Sequence, residues 1–303
     1  LLGFKDMTIE EIKNFRQLGA RTAGHPEYGH AAGIETTTGP LGQGVSTAVG
    51  MALAERMMNA RFGDDLVDHF TYVLASDGDL MEGISHEAIS IAGHMKLARL
   101  IVLYDDNNIT IDGSLDLAES GDAQARFEAA GWNAVRIDGH DFEAIEDAIA
   151  AARNSDRPSL IACRTVIGYG SPNKQGTSGV HGSPLGDDEI GLTRETLGWD
   201  SPAFEIPAEL RDAWRMAGRA HASARKAWEQ RLAEQSAETR NRFERLTAGD
   251  LPSGFDSAVD SYKKQLAEEK PVWATRKASE AVLKAIVPAV PEMIGGSADL
   301  TGS

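Results

Sequence analysis

The first two hundred residues alternate between apolar runs of strand length and segments with helical periodicity. The apolar runs are FTYVLAS, LIVLYDD, AVRI and PSLIACRTV, and the helix-like segments between them are EGISHEAISIAGHM, DAQARFEAAG and FEAIEDAIAAAR. Strands that alternate with helices favour a parallel sheet covered on both faces. We therefore predict an α/β fold with a doubly wound, mostly parallel sheet. An amphipathic helix over MTIEEIKNFRQLG and a long helix from about Val45 to Arg61 are predicted ahead of it, separated by a loop rich in glycine and threonine.

The alternation fades after Trp199. From Pro207 to about Lys270 the chain is charged and alanine-rich, which predicts a helical connector. Helix-like ATRKASEAVLKAIV and strand-like EMIGGSADL then restart the earlier pattern. These changes predict a domain over 1–200, a helical linker over 201–270 and the start of a second α/β domain over 271–303. Because the chain starts at Leu1 and stops just after the last strand-like run, we expect both ends to be cut.

Composition narrows the classes of function. The chain of 303 residues carries 46 acidic and 30 basic side chains, a formal net charge of −16. Such a chain repels phosphate backbones, so nucleic acid is not expected as a partner, although a local site can still bind a small anion. No apolar stretch approaches the roughly 20 residues that span a bilayer, so no membrane partner is expected. One cysteine, Cys163, excludes an intrachain disulfide, and we predict a cytoplasmic protein.

Two polar residues at the ends of predicted strands indicate a binding site. Asp77 follows FTYVLAS and Asn107 follows LIVLYDD, thirty residues later. If a helical crossover joins these runs, both strands end at the same edge of the sheet, where doubly wound folds bind ligands. A carboxylate, an amide oxygen and a main-chain carbonyl such as that of Ile109 suit Mg²⁺ or Ca²⁺, and Gly78 would let a diphosphate approach the backbone. Ordinary turn chemistry explains either motif taken alone.

A series of motifs carries a resemblance to a known family. SDGDLMEGISHEA followed by YDDNNITIDG resembles the thiamine diphosphate-binding motif, and GHPE, ETTTGPLGQG, GYGSPNK, HGSPLG, ATRKASE and GGSADL resemble transketolases in the same order. The matches run from Leu1 to Ser303. The resemblance implies the thiamine diphosphate-binding fold and the reversible transfer of a two-carbon ketol unit from a ketose phosphate to an aldose phosphate.

The resemblance also implies a role for each matching position. The metal ligands would be Asp77, Asn107 and the main-chain oxygen of Ile109, holding Mg²⁺, with Ca²⁺ or Mn²⁺ as substitutes. Cofactor contacts would come from Gly39, Pro40, Leu41, Gly78, Asn107, His181 and Asp299. The sugar phosphate would meet His25, His181, Arg276 and Ser303, and the two histidines would be catalytic. Glu82 would lie at the interface of a homodimer whose active site is shared between subunits.

Simpler explanations exist for several of these residues. His25 is also typical of a solvated loop residue, Arg276 of a surface charge, and Glu82 of an acid at a helix N-terminus. Three positions depart from the family pattern. Ser76 stands where glycine is common and is expected to leave the metal site intact, Ser178 replaces a histidine near the substrate, and Gly302 replaces a proline.

Other functions stay open at this stage. The chain could belong to another thiamine diphosphate enzyme, of the dihydroxyacetone synthase or deoxyxylulose phosphate synthase type. It could also be a non-catalytic module that binds cofactor or pairs subunits. A nucleotide-binding fold ranks last, because GPLGQG lacks the phosphate-loop lysine and the dinucleotide spacing. The family's cofactor-activating glutamate belongs to the second domain, so we expect the isolated chain to be inactive.

Overall fold

The computed structural model describes residues 1–297 and residue 299. Two compact units divide the chain, Leu1–Lys226 and Ala227–Ser303. The strands are β1 (Thr71–Ser76), β2 (Leu100–Asp106), β3 (Ile109–Thr110), β4 (Gly113–Ser114), β5 (Asn133–Asp138) and β6 (Ser159–Arg164). The helices of the first unit are α1 (Ile9–Lys13), α2 (Gln43–Phe62), α3 (Asp77–Met81), α4 (Gly83–His94), α5 (Ala123–Ala129), α6 (Phe142–Arg153), α7 (Asp187–Leu197) and α8 (Ala208–Arg219). Helix α9 (Ala222–Ala233) crosses the division, and α10 (Ala237–Ala248), α11 (Phe255–Glu269) and α12 (Thr275–Ile286) follow.

The main sheet is parallel throughout, in the order β1-β2-β6-β5. Residues of β1 pair with residues of β2 from Thr71 and Leu100 to Ser76 and Asp105. The last pair of β2 and β6 is Asp106 with Arg164. The carboxyl ends of these strands therefore share one edge, as the sequence predicts. The small strands β3 and β4 form a separate antiparallel hairpin directly after β2.

Alternate residues of the central strands face two different cores. On β2, Leu100, Val102 and Tyr104 belong to one cluster, which also contains buried residues of α2 and α4. Ile101 packs in a second cluster with Ile161 of β6 and Ala152 of α6. Successive side chains of a strand point to opposite faces, so a strand buried on both faces is apolar almost throughout. The predicted α/β architecture with both faces covered is confirmed.

Strand β1 borders one edge of the sheet. Within the described residues it pairs with β2 alone. Two of its side chains are open to solvent, with Tyr72 47% and Leu74 81% exposed. Both are large side chains on a strand whose outer side pairs with no other strand among the described residues.

Two predicted elements differ in the structure. Of the helix predicted over MTIEEIKNFRQLG, only the short helix α1 forms within the described residues. It ends before Arg16, whose backbone has a positive φ of 62°. Its intended apolar face stays exposed, and so short a helix gains little without tertiary packing. The strand predicted over EMIGGSADL is wrong for its described part, since residues 292–297 form no strand. A strand needs a neighbour to pair with, and the second unit contains none among its described residues.

The segment after Pro207 is helical as predicted, in α8, α9, α10 and α11. In the second unit, Phe243 is buried against Trp228 with ring centroids 5.9 Å apart. The domain limits 1–200, 201–270 and 271–303 remain a prediction.

Candidate functional site at the carboxyl edge of the sheet

Asp77 lies where β1 turns directly into α3. Its side chain is buried, with 4% exposed. One carboxylate oxygen, Oδ1, accepts a hydrogen bond from the hydroxyl of Tyr104 on β2. The other, Oδ2, is buried and has no hydrogen-bond partner among the described residues. Burial raises the pKa of the Asp77 carboxyl, and the bond from Tyr104 opposes that rise.

An unpartnered buried carboxylate oxygen is costly, because the charge loses its water without gaining a partner. A hard cation bound to this oxygen would supply the missing partner. The position of Asp77 at the end of a strand therefore fits a divalent metal ligand.

Asn107 and Ile109 follow the neighbouring strand. The Asn107 amide oxygen accepts from the Ile109 backbone N–H at 2.9 Å, and its amide nitrogen donates to Asp105 at 3.2 Å. This Asx turn fixes the course of the chain between β2 and β3. An amide oxygen has two lone pairs, so the turn leaves acceptor capacity for a cation. The structure shows the turn, and the turn is compatible with the predicted ligand role of Asn107.

The glycine-rich loop packs against the start of α3. The backbone N–H of Gly42 donates to Asp79 at 3.2 Å. Asp79 also accepts from the backbone N–H and the hydroxyl of Ser76, at 2.9 and 2.8 Å. Leu41 lies over Gly78, where an added Cβ would be 3.0 Å from its side chain. Ser76 thus holds the turn that carries Asp77. A glycine at this position would lack the hydroxyl that makes one of these two bonds.

His25 lies directly on Gly39. The backbone of Gly39 has φ of +121°, which favours glycine, and a Cβ there would be 2.4 Å from the His25 ring. Both residues line a cavity of about 510 Å³ together with Pro40 and Leu41. The structure therefore brings together four of the residues singled out from the sequence.

His181 lies in the long loop between β6 and α7, and its side chain is exposed. The loop is tied to α7 by Glu189, a buried carboxylate that accepts from Ser171 and from Asn173. These bonds lower the pKa of Glu189.

Glu82 occupies the position before α4 and is exposed. A Cβ on Gly42 would be 2.8 Å from the Glu82 Cβ, so the two backbones meet closely. In the second unit, Arg276 is the second residue of α12 and is exposed, and Asp299 is also exposed. Ser303 lies outside the described residues.

The structure also places a cluster of arginines beside Asp77, which the sequence pattern does not predict. Buried Asp106 at the end of β2 accepts from Arg164 at 2.9 Å and pairs with Arg136 at 3.3 Å. Arg126 donates to the carbonyl of Leu80 in α3 at 2.9 Å. The three arginines and Asp77 line one cavity of about 400 Å³. The cluster compensates the charge of Asp106, whereas Oδ2 of buried Asp77 has no hydrogen-bond partner among the described residues.

Some kinds of site are not formed. No group of three or more His, Cys, Asp or Glu side chains comes together in the part of the chain that the structure describes. The metal ligands expected from the sequence are of another kind, since an amide oxygen and a main-chain oxygen accompany a single carboxylate. None of the described helices is long and apolar enough to cross a bilayer. Burial raises the pKa of the Cys163 thiol, which fits an unreactive side chain.

Comparison with known proteins gives the class first. Residues 1–252 match the family model described as the transketolase, thiamine diphosphate binding domain. The chain is therefore an α/β domain of the thiamine diphosphate-binding class. It belongs to the transketolase family, as its motifs predict.

Individual relatives agree with this assignment. The chain is 61% identical over 303 residues to a transketolase of Cereibacter sphaeroides, covering 100% of this chain and 46% of that protein. It is 49% identical to transketolase 1 of Escherichia coli, covering 98% of this chain and 46% of the relative. The chain thus spans about half the length of the curated relatives it matches.

Solved structures show the same fold. The transketolase of Leishmania mexicana matches with a TM-score of 0.86 at 40% identity, covering 98% of this chain and 44% of that one. A transketolase of Pichia stipitis, solved in complex with sedoheptulose 7-phosphate, also gives 0.86 at 41% identity, covering 98% and 45%.

Proposed function

We propose that this chain forms the diphosphate- and metal-binding part of a transketolase active site. The complete protein would transfer a two-carbon ketol unit reversibly from a ketose phosphate to an aldose phosphate. Family membership and 61% identity to a named transketolase support the class of reaction. The single observation that carries the site is the buried, unpartnered Oδ2 of Asp77 at the carboxyl edge of the sheet.

The proposed metal is Mg²⁺, with Ca²⁺ or Mn²⁺ as substitutes. Asp77 would contribute Oδ2, Asn107 its amide oxygen and Ile109 its main-chain oxygen, which are the hard ligands that these cations prefer. Gly78, Asn107 and His181 would contact the cofactor diphosphate. The close packing of Leu41 on Gly78 supports a place where only a small residue permits approach to the backbone.

Bound thiamine diphosphate would supply a nucleophilic carbon able to break and form the bond beside a carbonyl group. The chain's own residues would orient and charge-balance the reactants. Gly39, Pro40 and Leu41 would face the thiamine. His25, seated on Gly39, would then meet the sugar beside it.

His25 and His181 would hold and move protons at the sugar oxygens, since histidine is the side chain that most often transfers protons in catalysis. Arg276 and Ser303 would bind the substrate phosphate, because a guanidinium forms paired hydrogen bonds to phosphate oxygens. Asp299 would lie against the thiazolium ring.

The proposed assembly is a homodimer with a shared active site. Exposed Glu82 would lie at that interface, which is consistent with its position at a loop junction rather than in the core. Phosphorylated sugars would be the small-molecule partners, serving the pentose phosphate pathway. The proposed location is the cytoplasm.

A chimeric protein tests this function without depending on the limits of the chain. The 303 residues replace the matching segment of the Cereibacter sphaeroides transketolase, and turnover of a ketose phosphate with an aldose phosphate is measured. We expect activity close to that of the parent. His25→Ala and His181→Ala should each lower kcat about 10²-fold to 10⁴-fold, the usual contribution of a proton-transfer residue.

His94→Ala serves as the control, because His94 lies exposed at the end of α4. Unchanged turnover in both test variants would contradict the catalytic roles. A folded chimera that binds thiamine diphosphate and Mg²⁺ tightly but turns over no sugar would instead favour a cofactor-binding module.

A further inference from the structure

Tyr104 is buried in the middle of the fold, yet its hydroxyl faces the candidate site. It lies on β2, with 4% of its surface exposed, and its ring belongs to the core cluster that contains Leu80 of α3 and Ala75 of β1. Its hydroxyl donates to Oδ1 of Asp77. A side chain fixed by core packing thus holds one oxygen of the candidate metal ligand.

The bond divides the two carboxylate oxygens into different roles. Oδ1 is satisfied by Tyr104, whereas Oδ2 is buried without a partner among the described residues. A free carboxylate can rotate about its terminal torsion, which is broad and soft. The hydroxyl restricts that rotation, so Oδ2 keeps its direction before any cation arrives.

The surroundings of Tyr104 strengthen this arrangement. Tyr104 and Asp77 line the same cavity as Arg136 and Arg164, and both arginines pair with Asp106. Among the residues that the structure describes, neither guanidinium forms a hydrogen bond or an ion pair with Asp77. Tyr104 is therefore the neutral donor that orients Asp77 without cancelling the charge that a cation requires.

We propose that Tyr104 is a positioning residue for the divalent metal, acting through Asp77. It holds Oδ1 so that Oδ2 points into the metal site. This inference rests on the proposed function, because it takes Asp77 as a ligand. Outer hydrogen bonds of this type fix ligand orientation, and their loss typically weakens metal affinity 10-fold to 100-fold.

Tyr104→Phe tests the proposal, since it removes only the hydroxyl. Mn²⁺ binding is measured by electron paramagnetic resonance in the presence of thiamine diphosphate, in the 303-residue chain and in the chimera. We expect the Kd for Mn²⁺ to rise roughly 10-fold to 100-fold. Tyr262→Phe is the matched control, because Tyr262 lies on α11 and lines neither the cavity of Asp77 nor that of His25, so the Kd of this variant should equal that of the parent.

Thermal unfolding with and without Mn²⁺ separates positioning from general destabilisation. Weaker binding reduces the rise in Tm that a fixed Mn²⁺ concentration produces. A merely structural hydroxyl would lower both melting temperatures equally and leave that rise unchanged, which would overturn the proposal, as would an unchanged Kd. Absence of Mn²⁺ binding in the unsubstituted chain and the unsubstituted chimera would instead reject the metal site itself, and the proposed function with it.

Discussion

Gly93 of α4 leaves no room for a side chain. A Cβ at this position would lie 1.8 Å from the carbonyl oxygen of Ala130 and 3.1 Å from the ring of Trp132. A hydrogen bond also holds Trp132 against α4, because its indole N–H donates to the carbonyl of Ile89 at 2.9 Å. One missing methyl group thus sets how closely α4 approaches the turn after α5.

Gly93→Ala should therefore destabilise the fold. Backbone would have to move to admit the methyl group, and overpacking of this kind typically costs about 1–3 kcal/mol of unfolding free energy. Urea unfolding followed by circular dichroism measures the change.

Gly50→Ala is the matched control. Gly50 lies within helix α2, and an added Cβ would meet nothing within 4 Å. Alanine there should stabilise the helix by roughly 0.5–1 kcal/mol. If Gly93→Ala unfolds at the same urea concentration as the parent chain, the close packing at Gly93 does not limit stability.

At the scale of elements, the loop between β6 and α7 depends on one helix residue. Glu189 in the first turn of α7 accepts from the Ser171 hydroxyl, and from the backbone and side chain of Asn173 at 2.9 Å each. Lys174 adds a bond to the carbonyl of Leu185 at 2.6 Å. The first part of the loop that carries His181 is thus held against the start of α7 and against Leu185 just before it.

Glu189→Gln should loosen this loop. The amide weakens the charge-assisted bonds, so backbone amide exchange over 171–176 should become on the order of tenfold faster at neutral pH. Hydrogen exchange followed by mass spectrometry measures it. Glu195→Gln, on the same helix but exposed, should leave the exchange unchanged.

The pH dependence of this effect has a definite sign. The pKa of Glu189 is lower in the folded chain than the value near 4.3 of an unfolded glutamate. Its stabilising effect is therefore complete above about pH 4.3 and disappears as the pH falls through the folded value. The difference between Glu189→Gln and the parent should shrink in acid, and a difference that persists unchanged there would contradict the role of the charge.

The central strands β2 and β6 could be predicted because burial on both faces of the sheet requires a run of apolar residues. The outer strands β1 and β5 also overlap the predicted runs, although several of their side chains are exposed. Asp77 and Asn107 could be identified because they follow those runs directly. The predicted length of helix α1 is wrong, because periodicity does not reveal whether an apolar face packs against another element.

Other parts of the site were not predictable in this way. Tyr104 stands inside an apolar run, where an aromatic residue indicates core. The pairing of Asp106 with Arg136 and Arg164 depends on β6 lying between β2 and β5. Strand order of this kind is a long-range property, and local patterns of hydrophobicity do not contain it.

At the scale of the whole molecule, strongly acidic composition and an open sheet edge act in opposite directions. The formal net charge of −16 makes copies of the chain repel one another. Strand β1 presents Tyr72 and Leu74 on an edge without a neighbouring strand within the described residues. Edges of that kind are templates for pairing with another chain.

Ionic strength should therefore decide the colloidal behaviour of this chain. Charge repulsion extends about 30 Å at 0.01 M salt and about 3 Å at 1 M, so added salt removes the barrier while the apolar attraction remains. Light scattering across this range should show association rising with salt. Leu74→Lys should suppress it, whereas Ile84→Lys, exposed but on α4, should not. Equal association of the two variants would show that β1 is not the cause. If β1 is the cause, this acidic chain stays dispersed in dilute buffer and associates as salt is added.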